Sequence, residues 1–224
     1  MDYVKDTKDA YKNVSKAQQY QEQYTKGFKW ARFTMWRQRR ILKKIITEYN
    51  YNENDKIIDI PCGTGFIGKI LCESKAQITA SDISEEMIKR AENEYAGDNF
   101  KGFIKCDITN TPFEDHSFDC AIVLAFLHRL PKEIRKSTWE EIIRISKNHI
   151  IVNYSFDSTA QKIKKWILNK LQSNYIPAPS SLPIKEIKKE IESYNLKIKK
   201  MTYVVYFFSG KIIFQLEKKN NKIR

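Results

Sequence analysis

The chain has 224 residues, 42% of them hydrophobic and 30% charged, with a formal net charge of +13. That length suffices for one domain with a full core. No stretch reaches the roughly 20 apolar residues of a membrane span, and the polar run from Met1 to Lys16 does not read as a secretory leader. Cys62, Cys72, Cys106 and Cys120 form no C-x-x-C pair, and His116, His128 and His149 share no ligand spacing. This speaks for reduced thiols in a cytoplasmic protein and against a structural zinc.

The charge is uneven. Residues 1–50 carry a net +7, residues 51–156 a net −4 and residues 157–224 a net +10. Basic flanks around a mildly acidic centre would concentrate anionic substrates, nucleic acid or an anionic membrane surface. The general richness in Lys, Ile and Asn accounts for the same charge as compositional bias.

Taken in chain order, residues 7–25 are polar and helix-compatible, and Ile41, Ile45 and Ile46 predict a helix over residues 36–49. Strands are predicted near 56–60, 77–82, 101–107, 118–125 and 149–155, with helices near 66–74, 84–96, 132–147, 158–171 and 184–194. Residues 196–208 and 211–217 read as two further strands across Ser209-Gly210. Alternation of strands and helices predicts an α/β fold, a parallel sheet with helices on both faces. Residues 157–183 interrupt it with a helical stretch, apolar at Trp166, Ile167 and Leu171 and basic at Lys162, Lys164, Lys165 and Lys170. A Pro-rich connector from Ile176 to Pro183 follows.

The chemistry concentrates in Ile57-Ile58-Asp59-Ile60-Pro61-Cys62-Gly63-Thr64-Gly65-Phe66-Ile67-Gly68. An apolar strand ends in a carboxylate, turns through glycines and enters an amphipathic run, an arrangement suited to close approach of a nucleoside-bearing ligand. Gly63, Gly65 and Gly68 also match G-x-G-x-x-G, the dinucleotide pattern. Asp59 argues against that reading, because a carboxylate there would repel a pyrophosphate. It would favour a ligand carrying a sulfonium and an ammonium. Ile78 to Asp82 is a second strand ending in an acid, which can accept both ribose hydroxyls, and Ser84 with Glu85 and Glu86 opens the next helix.

These runs, with Phe103 to Ile108 and Ser117 to Pro131, resemble the ordered motifs of the class I S-adenosylmethionine (SAM)-dependent methyltransferases over roughly residues 37–156. Pro61 departs from the pattern, standing at the usual first glycine, where it fixes φ and removes an N–H. The resemblance implies a Rossmann-like sheet of seven strands, mostly parallel with the last antiparallel. It divides the chain into an N-terminal helical cap (1–50), a SAM-binding core (51–156), a lid-like insertion (157–183) and a last helix with a C-terminal β-hairpin (184–224). It implies a cofactor lined by Asp59, Pro61, Cys62, Gly63 and Gly65 in the first loop. Beyond that loop come Asp82, Ile83 and Met87, then Cys106, Asp107 and Ile108, and finally Leu124 and Ala125 after the fourth strand.

Methyl transfer is an in-line displacement in which the protein supplies mainly alignment and desolvation. His128, past the fourth strand, is the candidate base for a hydroxyl acceptor, and Tyr154, ending the fifth, the candidate for orienting the acceptor. Each has a plainer reading as packing. Arg129 could pair with an acidic substrate or the cofactor carboxylate. Tyr20, Tyr24, Trp30 and Trp36 are candidates for the sulfonium and Arg37, Arg39 and Arg40 for the cofactor carboxylate, against ordinary packing and solvation.

The expected function is transfer of the SAM methyl group to N or O of a small acceptor, with anionic molecules among the candidates. An RNA methyltransferase is the first alternative, motivated by the basic flanks. It is weakened because Leu124-Ala125-Phe126-Leu127 lacks the Asn/Asp-Pro-Pro-aromatic motif of base amino-group methylation. A SAM-binding accessory protein without turnover and a nicotinamide-dependent oxidoreductase are the others. No transmembrane segment is expected. Peripheral membrane contact through residues 158–171 is a further expectation.

Overall fold

The computed structural model describes residues 29–156, 182–206 and 210–219. The predicted helix over 158–171, the polar segment 7–25 and the side chain of Trp30 lie outside the residues so described.

The first helix, α1 (Lys29–Tyr49), buries Thr34, Gln38, Leu42, Ile45 and Ile46 along one face. It stops at Asn50, whose φ of 50° is the left-handed conformation that ends helices. Strand β1 (Lys56–Asp59) follows, then the glycine loop, α2 (Gly68–Cys72), β2 (Gln77–Asp82) and α3 (Glu85–Ala91). Ser84 caps α3 by accepting the N–H of Met87 at 3.3 Å. The helix is shorter than the 84–96 read from sequence, because Glu92–Glu94 tighten into a 3-10 turn that swings Tyr95 back onto β1.

Next come β3 (Phe100–Lys105), β4 (Phe118–Val123), α4 (Lys132–Ile145), β5 (Ser146–Ser155), α5 (Ile184–Ser193), β6 (Leu196–Tyr203) and β7 (Lys211–Lys218). β5 begins at Ser146, before the predicted residue 149, because α4 passes into it without a loop. The Ser146 hydroxyl ties the junction by donating to the Ile142 carbonyl at 2.6 Å.

The sheet order is β3-β2-β1-β4-β5-β7-β6. β1 to β5 pair in parallel, while β7 lies between β5 and β6 and runs antiparallel to both. This is the mostly parallel seven-stranded sheet with an antiparallel last strand that the sequence led us to expect.

Successive β4 residues point to opposite faces, as strand geometry requires. Ala121 and Val123 join Trp139 and Ile142 of α4 and Ile187 and Ile191 of α5. Cys120 and Ile122 join Leu42 and Ile45 of α1 and Leu71 of α2. Each face thus has its own core, and the helices cover both. The chain leaves β1 to one side through β2 and β3, then crosses to β4 on the other. The carboxyl ends of β1 and β4 therefore flank the point where the winding reverses, the position at which open α/β sheets bind ligands.

Candidate active site

The first loop is stitched to the end of β2. Cys62 N–H donates to the Ser81 carbonyl at 2.8 Å, and Gly63 N–H donates to Asp82 Oδ2 at 2.9 Å. The Ile60–Pro61 peptide is cis. Gly63 and Gly65 have φ of 54° and 78°, which residues with a Cβ rarely adopt. The glycines then divide in role. A Cβ on Gly65 would lie 2.7 Å from Glu94 Cβ, and one on Gly68 would lie 2.5 Å from the Glu94 carbonyl oxygen. Those two let the loop pack on the 3-10 turn after α3. A Cβ on Gly63 would meet nothing within 4 Å, so its bare backbone faces open space.

Two carboxylates stand behind that space. Asp59, at the end of β1, is buried and accepts the Tyr95 hydroxyl at 2.5 Å. Burial pushes its pKa up to about 7; the Tyr95 bond opposes the shift and the nearby Asp82 charge adds to it. Asp82, at the end of β2, accepts the N–H groups of Gly63 and Ser84, each at 2.9 Å. Burial raises its pKa too, against the backbone N–H groups that favour its charged form.

The donor set suits a nucleoside that also carries positive charge. Each Asp82 oxygen has a second lone pair for a hydroxyl, and Asp59 is a buried acid whose ionisation a cation would favour. Among the described residues no cluster of three or more His, Cys, Asp or Glu could hold a metal ion.

The other expected cofactor positions lie around the same edge. Cys62 is buried, its thiol pushed well up by burial and by Asp82 and Asp59, so it lines the loop as an apolar group. Met87 is buried in the first turn of α3, and Ile83 is half-buried before it. Cys106 Sγ lies 2.9 Å from Ser81 Oγ, and Asp107 folds its own turn by accepting Thr109 N–H at 3.0 Å. Ile108 is buried in the α4–α5 core. Leu124 and Ala125 follow β4, with Ala125 at φ 53° and its N–H donated to Asn153 Oδ1.

The two proposed catalytic side chains sit deeper than a ligand-facing role implies. Tyr154 is 0% exposed and packs edge-on to Phe214 at 6.0 Å. His128 is 3% exposed, with its ring 6.3 Å from that of Tyr154. Burial, with the charges of Arg129 and Lys211, pulls its pKa down to about 3, so at neutral pH it is an uncharged and weak base.

The three arginines of α1 separate. Arg39 Nε donates to the Phe66 carbonyl in the glycine loop at 2.9 Å, with its guanidinium 5.0 Å over the Phe66 ring. Arg37 donates to the Val204 carbonyl at 3.1 Å, and Arg40 lies 4.9 Å over Trp36.

Tyr95, Lys211 and the Asn153 side chain were not assigned from sequence. Tyr95 and Asn153 act across 36 and 28 residues of chain, and neither sits in a recurring motif. Lys211 opens β7, whose start the antiparallel pairing of Ser155 with Lys211 brings to the ligand edge.

A family model described as a methyltransferase domain matches residues 57–149. A demethylmenaquinone methyltransferase of Clavibacter sepedonicus is 37% identical over 93 residues, covering 42% of this chain and 37% of its own length. The chain thus spans well under half of that relative. The ribosomal RNA small subunit methyltransferase A of Mycoplasmopsis synoviae (strain 53) is 24% identical over 213 residues, covering 84% of this chain and 81% of its own. Among solved structures, magnesium protoporphyrin IX methyltransferase from Synechocystis PCC 6803 with bound SAH superposes with a TM-score of 0.69 at 15% identity, covering 86% of this chain and 88% of that one.

Proposed function

We propose, since residues 57–149 belong to the class I SAM-dependent methyltransferases, that the chain moves the methyl group of SAM to a small acceptor, on N or O, and that the acceptor is anionic. The observation that carries the reading is the pair of buried carboxylates, Asp59 and Asp82, joined through the glycine loop at the reversal point of the sheet.

The residues fit the cofactor. When bound, SAM supplies a methyl carbon on a positively charged sulfur, a good leaving group. Asp59 would provide negative charge beside the cationic end, Asp82 would accept the ribose hydroxyls, and Gly63 would leave its backbone open to the ligand. SAM and SAH enter the reading through the solved neighbours named with them. The protein's further contribution is alignment and exclusion of water.

His128, held neutral with a pKa of about 3, is poorly suited to take a proton from a hydroxyl. This supports an acceptor that is nucleophilic without it, a neutral amine or an oxygen already ionised. An anionic acceptor is supported by the basic groups at the edge of β4, β5 and β7. Arg129 and Lys211 each depress the pKa of His128, and burial with the Arg129 charge depresses that of Lys211.

A ribosomal RNA acceptor is the second reading, favoured by the length over which the M. synoviae relative aligns. Against it stands the post-β4 loop, Leu124-Ala125-Phe126-Leu127, which lacks the polar motif of base amino-group methylation.

Calorimetric titration with SAM and with SAH, wild type against Asp82→Ala, tests the cofactor assignment. Micromolar binding weakened at least tenfold by the substitution is expected, since a lost charge-assisted hydrogen bond costs about 1.5–3 kcal/mol. A folded wild-type protein that binds neither would overturn it. A screen of amines and ionised phenols, small acids and short RNA then separates the acceptor readings.

A further inference from the structure

The face of α1 turned away from the core carries a stripe that the methyl-transfer reading does not use. Phe33, Trp36, Arg37, Arg40 and Lys44 follow the i, i+3, i+4, i+7, i+11 spacing of one helix side, opposite Thr34, Gln38, Leu42 and Ile45. Phe33 is 42% and Trp36 49% exposed, and their rings touch at 5.9 Å between centroids. Arg40 lies across Trp36. α1 holds seven basic residues and one acid, Glu48. Two neighbouring aromatics this exposed on so basic a helix mark a surface suited to contact with a partner.

Two backbone contacts locate the stripe. Arg39 reaches the Phe66 carbonyl of the glycine loop, and Arg37 reaches the Val204 carbonyl beyond β6. Both carbonyls lie at the carboxyl edge of the parallel strands, so the aromatic turn of α1 stands on the rim of the candidate site. Tyr206, two residues past Val204, is 64% exposed on the same rim.

We propose that this stripe of α1 docks the protein on an anionic lipid bilayer, with the rim of the site turned toward the membrane surface. The aromatics would enter the headgroup region, where Trp is favoured, and Arg37, Arg40 and Lys44 would meet lipid phosphates. Exposed aromatics with basic side chains beside them suit the headgroup layer, where rings are favoured and cations meet anionic lipid. A bilayer is favoured over a nucleic acid because Arg40 already lies over the Trp36 ring and Phe33 packs beside it, which leaves less ring face for a base to stack on. The inference does not depend on the methyl-transfer reading, and its test uses neither cofactor nor acceptor.

The test is co-sedimentation of the full chain with vesicles of pure phosphatidylcholine and with vesicles containing about one-third phosphatidylglycerol. Binding to the anionic vesicles alone is expected, weakening as salt is raised. Phe33→Ser with Trp36→Ser should lower it at least tenfold at unchanged circular dichroism. Arg40→Gln with Lys44→Gln should lower it about tenfold or more, at about 1 kcal/mol per basic side chain near the surface. Trp36→Phe guards against a folding artefact: it should keep vesicle binding but lose most quenching by brominated lipid. No binding to anionic vesicles, or binding indifferent to Phe33 and Trp36, overturns the proposal. Binding of single-stranded RNA through these residues with no vesicle binding also overturns it and makes the stripe a nucleic-acid surface.

Discussion

Asn153 of β5 holds Ala125 of the post-β4 loop: its Oδ1 accepts the N–H of Ala125, which sits at φ 53°. A non-glycine residue in that region costs about 1–2 kcal/mol, and the bond offsets the cost by fixing the loop that leads from β4 to His128. Asn153→Ala is expected to destabilise the protein by about 1–3 kcal/mol, the cost of a half-buried donor left without its acceptor. The penalty should be smaller in an Ala125→Gly background, because glycine holds a positive φ without help. Denaturation of the two single variants and the double variant measures the coupling. Equal penalties in both backgrounds would mean that the bond does not hold the turn.

With Asp59 beside the cationic end of the cofactor, as proposed, SAM binding is expected to depend on pH. Its pKa in the free protein is raised from 3.8 to about 7, chiefly by burial. A bound cation favours the carboxylate and lowers that pKa, so below about pH 7 binding must release a proton. Affinity for SAM should be constant above pH 7 and fall below it, by at most tenfold per unit. SAH, which lacks the sulfonium, should show a shallower fall. Titration in buffers of different ionisation enthalpy counts the proton directly, and zero release at pH 6 would exclude Asp59 as the partner of the charge.

The same group affects stability with the opposite preference. An acid whose folded pKa lies above its unfolded one binds more protons when folded, so the free protein loses stability as pH rises from about 4 to 7 and carries the full penalty above that. Asp59→Asn keeps an acceptor for Tyr95 and removes the charge. It should raise Tm at pH 8, by about 2–4 °C for each kcal/mol relieved, and leave Tm nearly unchanged at pH 4. It should also weaken SAM binding. A lower Tm at pH 8 would show that the carboxylate is not a burden to the fold.

Much of the frame was legible because local pattern and tertiary placement agree. Ile41, Ile45 and Ile46 announced the helix before β1, and Ser84 caps α3 where the sequence put its start. The apolar runs ending in Asp59 and Asp82 became adjacent parallel strands with both acids at one edge. What escaped was set by packing between distant segments. The Tyr95 hydroxyl finds Asp59 only because a 3-10 turn truncates α3, and the glycines at 65 and 68 matter through Glu94, which no motif contains. His128 and Tyr154 follow strand ends, where exposure is expected, yet the turn of residues 127–129 and the pairing of β5 with β7 bury both.

Glu190 joins α5 to α4. Its two oxygens accept Arg135 Nε at 2.8 and 3.0 Å, and Oε1 also accepts Trp139 Nε1 at 3.0 Å. Arg135 is nearly buried, so Glu190→Ala would leave its charge without a counterion and the indole without an acceptor. A loss of about 2–4 kcal/mol is expected on chemical denaturation, with Glu190→Gln costing clearly less because it keeps an acceptor oxygen. Equal losses for the two variants would mean that charge alone, and not the hydrogen bonds, holds the helices together.

The glycines of the first loop separate folding from binding. Gly68→Ala would set a Cβ 2.5 Å from a backbone carbonyl oxygen, an atom that cannot move aside cheaply. It should cost about 1–3 kcal/mol of stability or more, and any loss of SAM affinity should follow the loss of fold. Gly63→Ala meets nothing within 4 Å, so its cost to folding is confined to the strain of φ 54°, about 1–2 kcal/mol. Its methyl group would stand in the open space before Asp82, where the nucleoside would lie, and SAM affinity should fall more than tenfold in a protein that remains folded at 25 °C. Denaturation and calorimetry on both variants decide the matter. A Gly63→Ala protein that binds SAM as the wild type does would remove the loop's backbone from the cofactor site.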